Sequence, residues 1–196
     1  MTNINFLNTT HLCSDRLLAT FRKGAGGWAI RRLSIRVRYS RGADFSGTCF
    51  YADRRIHINL GRHLVYPYAL GTNLARAKVA GRKWYKPVYT MQMNDGEELA
   101  AFIFMHELYH LLVKKAKRNT RQKESMCDRF AARFLVDHYG SVVRDRCRAP
   151  IPREEWDWQN LEGFVAAARD RRAARLPLRA TVRAGREAYG QLMLFS

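Results

Sequence analysis

No stretch of eighteen consecutive apolar residues occurs in this 196-residue chain, so a membrane-spanning helix is not expected. The first thirteen residues, Met1 to Cys13, have no basic cluster leading into an apolar run, which argues against a signal peptide. Cysteine is scarce. Cys13, Cys49, Cys127 and Cys147 lie far apart and form no C-x-x-C pair, so a zinc knuckle, a dithiol redox motif and the disulfide framework of a small secreted domain are not expected. These absences point to the reducing cytoplasm, with free thiols serving as buried small side chains. There is no internal repeat and no low-complexity block.

Acid is also short. Seventeen Asp and Glu stand against 35 Lys and Arg, a formal charge of +18. Between Arg54 and Asn94 there is no acid at all, while Arg54, Arg55, Arg62, Arg76, Lys78, Arg82, Lys83 and Lys86 supply eight cations. Such a field attracts polyanions, nucleic acid first. Tyr66, Tyr68, Trp84 and Tyr85 lie among these cations, the mixture that single-stranded nucleic acid uses for phosphate contact and base stacking. Arg76, Lys78, Arg82, Lys83 and Lys86 are therefore candidate nucleic-acid contacts. A solvated basic surface over ordinary core aromatics would account for the same pattern.

What is present in quantity is apolar: 47% of the residues, enough for one domain with a sizeable core. Residues 14–23 read as a short helix capped by Ser14 and stopped by Gly24. From Arg32 to Tyr39 the pattern alternates, with Leu33, Ile35, Val37 and Tyr39 on one face, which predicts a half-buried strand. Thr48 to Ala52 and Arg55 to Leu60 flank an Asp53-Arg54 turn as a hairpin would, and Val88 to Met93 reads as another strand. The stretch from Gly71 to Lys86 carries no assignable period. After Asn94-Asp95-Gly96 the period becomes helical. Residues 97–117 begin with Glu97 and Glu98 and end in Lys114, Lys115 and Lys117, as the helix dipole favours. A second helix is expected from about Thr120 to Tyr139, stopped by Gly140 and packed antiparallel to the first. A third is expected at about Glu154 to Arg172.

His106 and His110 are four apart on the first of these long helices, so both imidazoles leave one face and can share a tetrahedral ion. Glu107 lies beside them, where a carboxylate can take the proton of an attacking water. Two hydrogen-bonded core histidines are the bland alternative. A catalytic zinc needs a third protein ligand and an open position. Glu124, about one turn into the second helix, can come level with the histidines. Asp128, one turn further on, suits an acceptor for the free N–H of a ligand histidine, fixing its tautomer. Surface pairing of both acids with Arg121, Lys123 or Arg129 is the competing expectation, and Asp128 and His138 remain open as alternative third ligands.

His106-Glu-Leu-Tyr-His110 followed by Glu124-Ser-Met-Cys-Asp128-Arg-Phe-Ala-Ala resembles the gluzincin pattern of H-E-x-x-H and then E-x-x-x-D, most closely the ImmA/IrrE-like metallopeptidases. The resemblance covers about residues 97–136. It departs at Met126, where a second Glu is usual, at Cys127, where Ala is usual, and in a short gap of thirteen residues between His110 and Glu124. The resemblance implies an α+β, zincin-like minimal metallopeptidase, a small mixed or antiparallel sheet packed beside the active-site helix and a second, antiparallel ligand helix. It implies Zn²⁺ held by His106, His110 and Glu124, Glu107 as the base that activates water for peptide hydrolysis, and an edge strand able to hold extended protein substrate. Val88 to Met93 or Arg55 to Leu60 would be that strand. A third histidine at His138 would instead resemble SprT-type proteases, which act on DNA-bound proteins.

The sequence ends Gln191-Leu192-Met193-Leu194-Phe195-Ser196, which resembles the bacterial sliding-clamp-binding peptide; Gln191, Leu192, Leu194 and Phe195 match it. A short anchor with Leu and Phe in an apolar pocket fits that partner, and a terminal strand packed on its own domain fits equally. The expected organisation is a metallopeptidase domain over 1–150, a helical basic extension over 151–190 and the tail 191–196, with no membrane partner. Three readings follow: a cytoplasmic zinc peptidase acting on DNA-associated proteins, a nucleic-acid-binding regulator with a vestigial or structural zinc site, and a zinc hydrolase of another kind.

Overall fold

The computed structural model describes residues 3–121 and 123–166. In chain order its elements are β1 (Asn3–Asn8), α1 (Ser14–Ala25), β2 (Arg32–Tyr39), β3 (Phe45–Phe50), β4 (Arg55–Leu60), β5 (Tyr68–Thr72), β6 (Lys78–Ala80), β7 (Lys83–Tyr85), β8 (Tyr89–Met93), α2 (Gly96–Lys115), α3 (Glu124–Tyr139), β9 (Val143–Arg144) and α4 (Arg153–Trp156). Residues 161–166 are helical as well. The architecture is α+β: small mixed and antiparallel sheets packed against helices.

The alternating segment Arg32–Tyr39 becomes β2 and turns Leu33, Ile35 and Val37 fully into the core. Its parallel neighbours are β1 on one side and β4 on the other. The chain then passes beyond β4, forms β3 and returns by a tight turn through Arg54, which adopts a left-handed φ of 49°. The sheet order is therefore β1-β2-β4-β3, with β3 antiparallel to β4 and at the edge. This corrects the expected substrate strand. Arg55–Leu60 is interior, because Ile56, Ile58 and Leu60 are wanted in the core, and Tyr89–Met93 sits in the middle of a separate sheet of order β5-β8-β9.

Helix α2 lies between these layers. Asp95 caps it by accepting from the backbone N–H groups of Glu97 and Glu98 at 2.9 Å, while the Glu98 carboxylate reaches back to the Asn94 N–H at 2.8 Å. Orphan donors at the N-terminus are thus satisfied, and the acidic first turn suits the dipole. The helix is buried on nearly every side, including Leu99, Phe104, Leu108 and Val113. Each such side chain contributes about 1.5–3 kcal/mol of burial. Phe21 of α1 stacks on Phe104 with ring centroids 4.6 Å apart, and α3 packs antiparallel on the far side.

Three helix boundaries differ from expectation. Helix α1 runs through Gly24 to Ala25, with Gly24 serving packing rather than termination because a Cβ there would meet Met105 of α2, and Ser14 is its first residue rather than its cap. Helix α3 starts at Glu124 and stops at Gly140, whose φ of 67° is left-handed. The helix expected over 154–172 is broken at 157–160. There Asp157 is drawn to Arg133 and Arg153, and Asn160 re-caps the chain by accepting the Gly163 N–H at 2.7 Å. Residues 151–166 place Trp156, Leu161 and Val165 in the same core as α2. Of the cysteines only Cys127 is buried; Cys49 is half-buried, Cys13 and Cys147 are exposed, and all four are free. Among the described residues no helix is long and apolar enough to cross a membrane.

Replacing Asp95 by Ala removes the α2 cap and lowers stability by about 1 kcal/mol, whereas Asp95→Asn keeps most of it. Thermal unfolding checks this, and equal midpoints for Asp95→Ala and the unaltered protein would contradict it.

Candidate metal centre

On α2 the rings of His106 and His110 project from one face, one turn apart. The first turn of α3 meets them. The two Nε2 atoms lie 3.2 Å apart, Glu124 Oε2 is 3.1 Å from His106 Nε2, and Glu124 Oε1 is 3.4 Å from His110 Nε2. An ion that takes nitrogen and oxygen donors at about 2.0–2.2 Å in a tetrahedron has donor-to-donor edges of about 3.3–3.6 Å, close to these separations. Glu124 is 59% exposed, so the cluster opens to solvent on that side. Cys127, one turn into α3, is buried behind it, and His106, His110 and Cys127 form a group able to hold a metal ion, their donor atoms within 4.8 Å of one another.

The outer nitrogen of His106 is fixed. Its Nδ1 lies 2.8 Å from Asp128 Oδ1, and Asp128 Oδ2 accepts the Asn73 backbone N–H at 2.6 Å. A carboxylate against the distal nitrogen directs Nε2 toward the cluster, the arrangement metal-binding imidazoles use. His110 Nδ1 is buried without a hydrogen-bond partner among the described residues.

Glu107 points from α2 toward β3. Position 47 is glycine for a steric reason: a Cβ there would overlap the Glu107 carboxylate. The backbone N–H of Cys49 donates to that carboxylate. Glu107 therefore sits between the histidine pair and an edge strand, a position that Gly47 makes possible. Burial raises its pKa above the usual carboxylate range and Glu124 adds to this, while His106 and the Cys49 N–H pull it back. A carboxyl raised in this way is suited to exchanging protons.

Burial works against charge on His106, but its hydrogen bonds to Asp128 and Glu124, with the further attraction of Asp128 and Glu107, outweigh that and hold its pKa at about 9. His110 goes the other way, depressed by burial and by the neighbouring His106. Glu124 is held below its usual value chiefly by the hydrogen bond from His106. The Cys127 thiol is pushed far up, first by burial and then by Glu124, Asp128 and Glu107.

The structure thus brings His106, Glu107, His110, Glu124 and Asp128 together. His138 is not with them: it lies exposed near the end of α3, edge-on to Phe134, about 15 Å of helix beyond Asp128 at 1.5 Å per residue. Tyr109 faces away, its hydroxyl donating to Leu161 O at 3.1 Å. Arg129 is no surface partner for the acids; it is buried and bonded to four backbone or amide oxygens. Of the candidate nucleic-acid residues, Lys78, Arg82, Lys83 and Lys86 are exposed on or beside the β6–β7 hairpin, while Arg76 lies over the Trp158 ring at 4.5 Å. Gln191, Leu192, Leu194 and Phe195 fall outside the described residues. Sequence reasoning missed Gly47, the Cys49 N–H and Asn73. Neither backbone donor carries a side-chain signal, and a lone glycine in a strand is only a weak hint of close approach.

Because the raised His106 pKa exceeds the unfolded value of 6.5, its contribution to stability is full below pH 6.5 and is lost as pH rises through about 9. An imidazole that takes a metal ion must shed that proton, so affinity for a divalent metal ion should climb about tenfold per pH unit between those limits. Chelator competition measures it, and a flat profile across that window would refute the assignment.

The chain matches no family model, no curated protein and no solved structure.

Proposed function

We propose that this protein is a zinc-dependent metallopeptidase of zincin-like build, working in a reducing compartment where its thiols stay free. The observation that carries the reading is the place of Glu107, with a pair of histidines one turn apart on one side and a free strand edge on the other. His106, His110 and Glu124 would hold the ion, and the solvent-facing side of Glu124 keeps a position open. Asp128 orients His106. When bound, zinc supplies a Lewis acid that polarises a carbonyl and makes water a better nucleophile.

The chain's own residues supply the rest. Among the described residues β3 is paired on one side only, so an extended peptide can lie along its other edge and be held by backbone hydrogen bonds. Gly47 leaves room for the Glu107 carboxylate beneath that peptide. Glu107 takes a proton from the attacking water and returns it to the departing amide nitrogen, a role its raised pKa favours.

Cys127 supports a second reading. If its sulfur joined His106, His110 and Glu124, four protein donors would close the shell and the ion would be structural. Two substitutions separate the readings. Under the peptidase reading Glu107→Gln keeps one equivalent of zinc and loses proteolysis of an unfolded protein substrate by about 100-fold or more, and Cys127→Ser keeps both zinc and activity. Loss of zinc from Cys127→Ser, with no proteolysis by the unaltered protein, would favour the structural site. Undiminished cleavage by Glu107→Gln would end the mechanism.

A further inference from the structure

Between β5 and β8 the chain makes an excursion that the metal centre does not use. Residues 76–86 are exposed without a break and form the β6–β7 ribbon, whose strands pair Lys78 with Tyr85, Val79 with Trp84 and Ala80 with Lys83. Directly opposed residues of an antiparallel pair share a face. Val79 and Trp84 therefore lie on one face, and Lys78, Tyr85 and Lys83 on the other. Trp84 is 76% exposed, Tyr85 50% and Val79 55%, large side chains that the core has not taken in.

Charge narrows what can cover them. The nearest acids in sequence are Asp53 and Asp95, so no acid of the segment itself balances Lys78, Arg82, Lys83 and Lys86. A polyanion is the complementary partner. An anionic membrane would want a broad apolar face, whereas the ribbon offers only Val79 and Trp84 on one face and sets Tyr85 among the lysines on the other. A narrow ribbon that carries Tyr85 with Lys78 and Lys83 on one face, Trp84 on the other and Arg82 in the turn suits a single strand crossing its edge, whose bases stack on the rings while its phosphates meet ammonium and guanidinium groups.

The base of the excursion is tied to the metal centre. Asn73 donates its backbone N–H to Asp128, and the next residue, Leu74, offers its carbonyl to Arg129 at 3.1 Å. The ribbon thus rises from the rim of the cluster, and Arg76, engaged by Trp158, belongs to the anchorage.

We propose that the β6–β7 ribbon is a binding element for single-stranded nucleic acid, with Trp84 as its stacking platform and Lys78, Arg82 and Lys83 as phosphate contacts. It does not rest on the peptidase reading. Proteins carried on such a strand would be presented beside the metal centre.

The test uses the full-length protein and a labelled twenty-nucleotide oligothymidylate, read by fluorescence anisotropy, with chelator present so that metal plays no part. Trp84→Ala should weaken binding about tenfold at fixed salt, with Trp84→Phe retaining most of it. Replacing Lys78, Arg82 and Lys83 together by Ala should lower the slope of log affinity against log salt by about 2. Because these side chains are exposed, the variants keep the fold, which circular dichroism verifies. Equal binding by Trp84→Ala and the unaltered protein would overturn the proposal, since the remaining positive charge would then account for it. So would a duplex bound as tightly with the same Trp84 dependence, Trp84-dependent binding to phosphatidylserine vesicles but not to the oligonucleotide, or a Trp84→Ala effect confined to self-association in sedimentation.

Discussion

The contact between α2 and α3 is the constraint on which the remaining features depend. Helix α2 is enclosed on nearly all sides, yet it carries two imidazoles and a carboxylate in its middle turns. Polar groups taken out of water must be matched by partners or the fold loses several kcal/mol for each. The first turns of α3 supply those partners, Glu124 to both rings and Asp128 to the outer nitrogen of one, and the segment entering the β6–β7 excursion supplies Asn73 to Asp128. The register of two packed helices thereby fixes the geometry of the cluster. The sheet sets its other wall, because placing β4 inside and β3 outside turns Gly47 toward Glu107.

The charge pattern has the same origin. In a chain of formal charge +18, Glu107, Glu124 and Asp128 gather around two histidines, one of which is held up at about 9. The local excess is negative within a molecule that is otherwise strongly positive. The raised pKa values of Glu107 and the Cys127 thiol reflect burial first and then the same crowding of negative charge. A divalent cation is the species that relieves such crowding most directly.

Much of the cluster could be read in advance, because helical spacing is local. A spacing of four from His106 to His110, and of four from Glu124 to Asp128, places side chains on shared faces whatever the tertiary context. The alternation in Arg32–Tyr39 and the stop at Gly140 were legible for the same reason, each resting on near-neighbour geometry. The strand order was not. Phe45–Phe50 has little alternation to mark it, and its place at the edge follows from long-range pairing of β1, β2 and β4, which composition does not encode. The break at 157–160 was hidden as well, since the residues on either side have ordinary helix preferences. It arises from Arg133 and Arg153 capturing Asp157 and from Trp156 seeking the core.

Arg129 shows how far such long-range ties extend. Its guanidinium, 2% exposed, donates to the carbonyls of Leu74, Ser125 and Trp156 and to the Gln159 side chain, and it lies over the Trp158 ring at 4.4 Å. Stretches distant in sequence are thus pinned by one cation that cannot be left bare in the interior without a cost of about 3–5 kcal/mol, a large part of what holds a typical domain folded. None of them can peel away alone. The part of the molecule that meets at this residue should therefore open cooperatively, and slow-exchanging amides around residues 74, 129 and 156 would belong to a single unfolding unit.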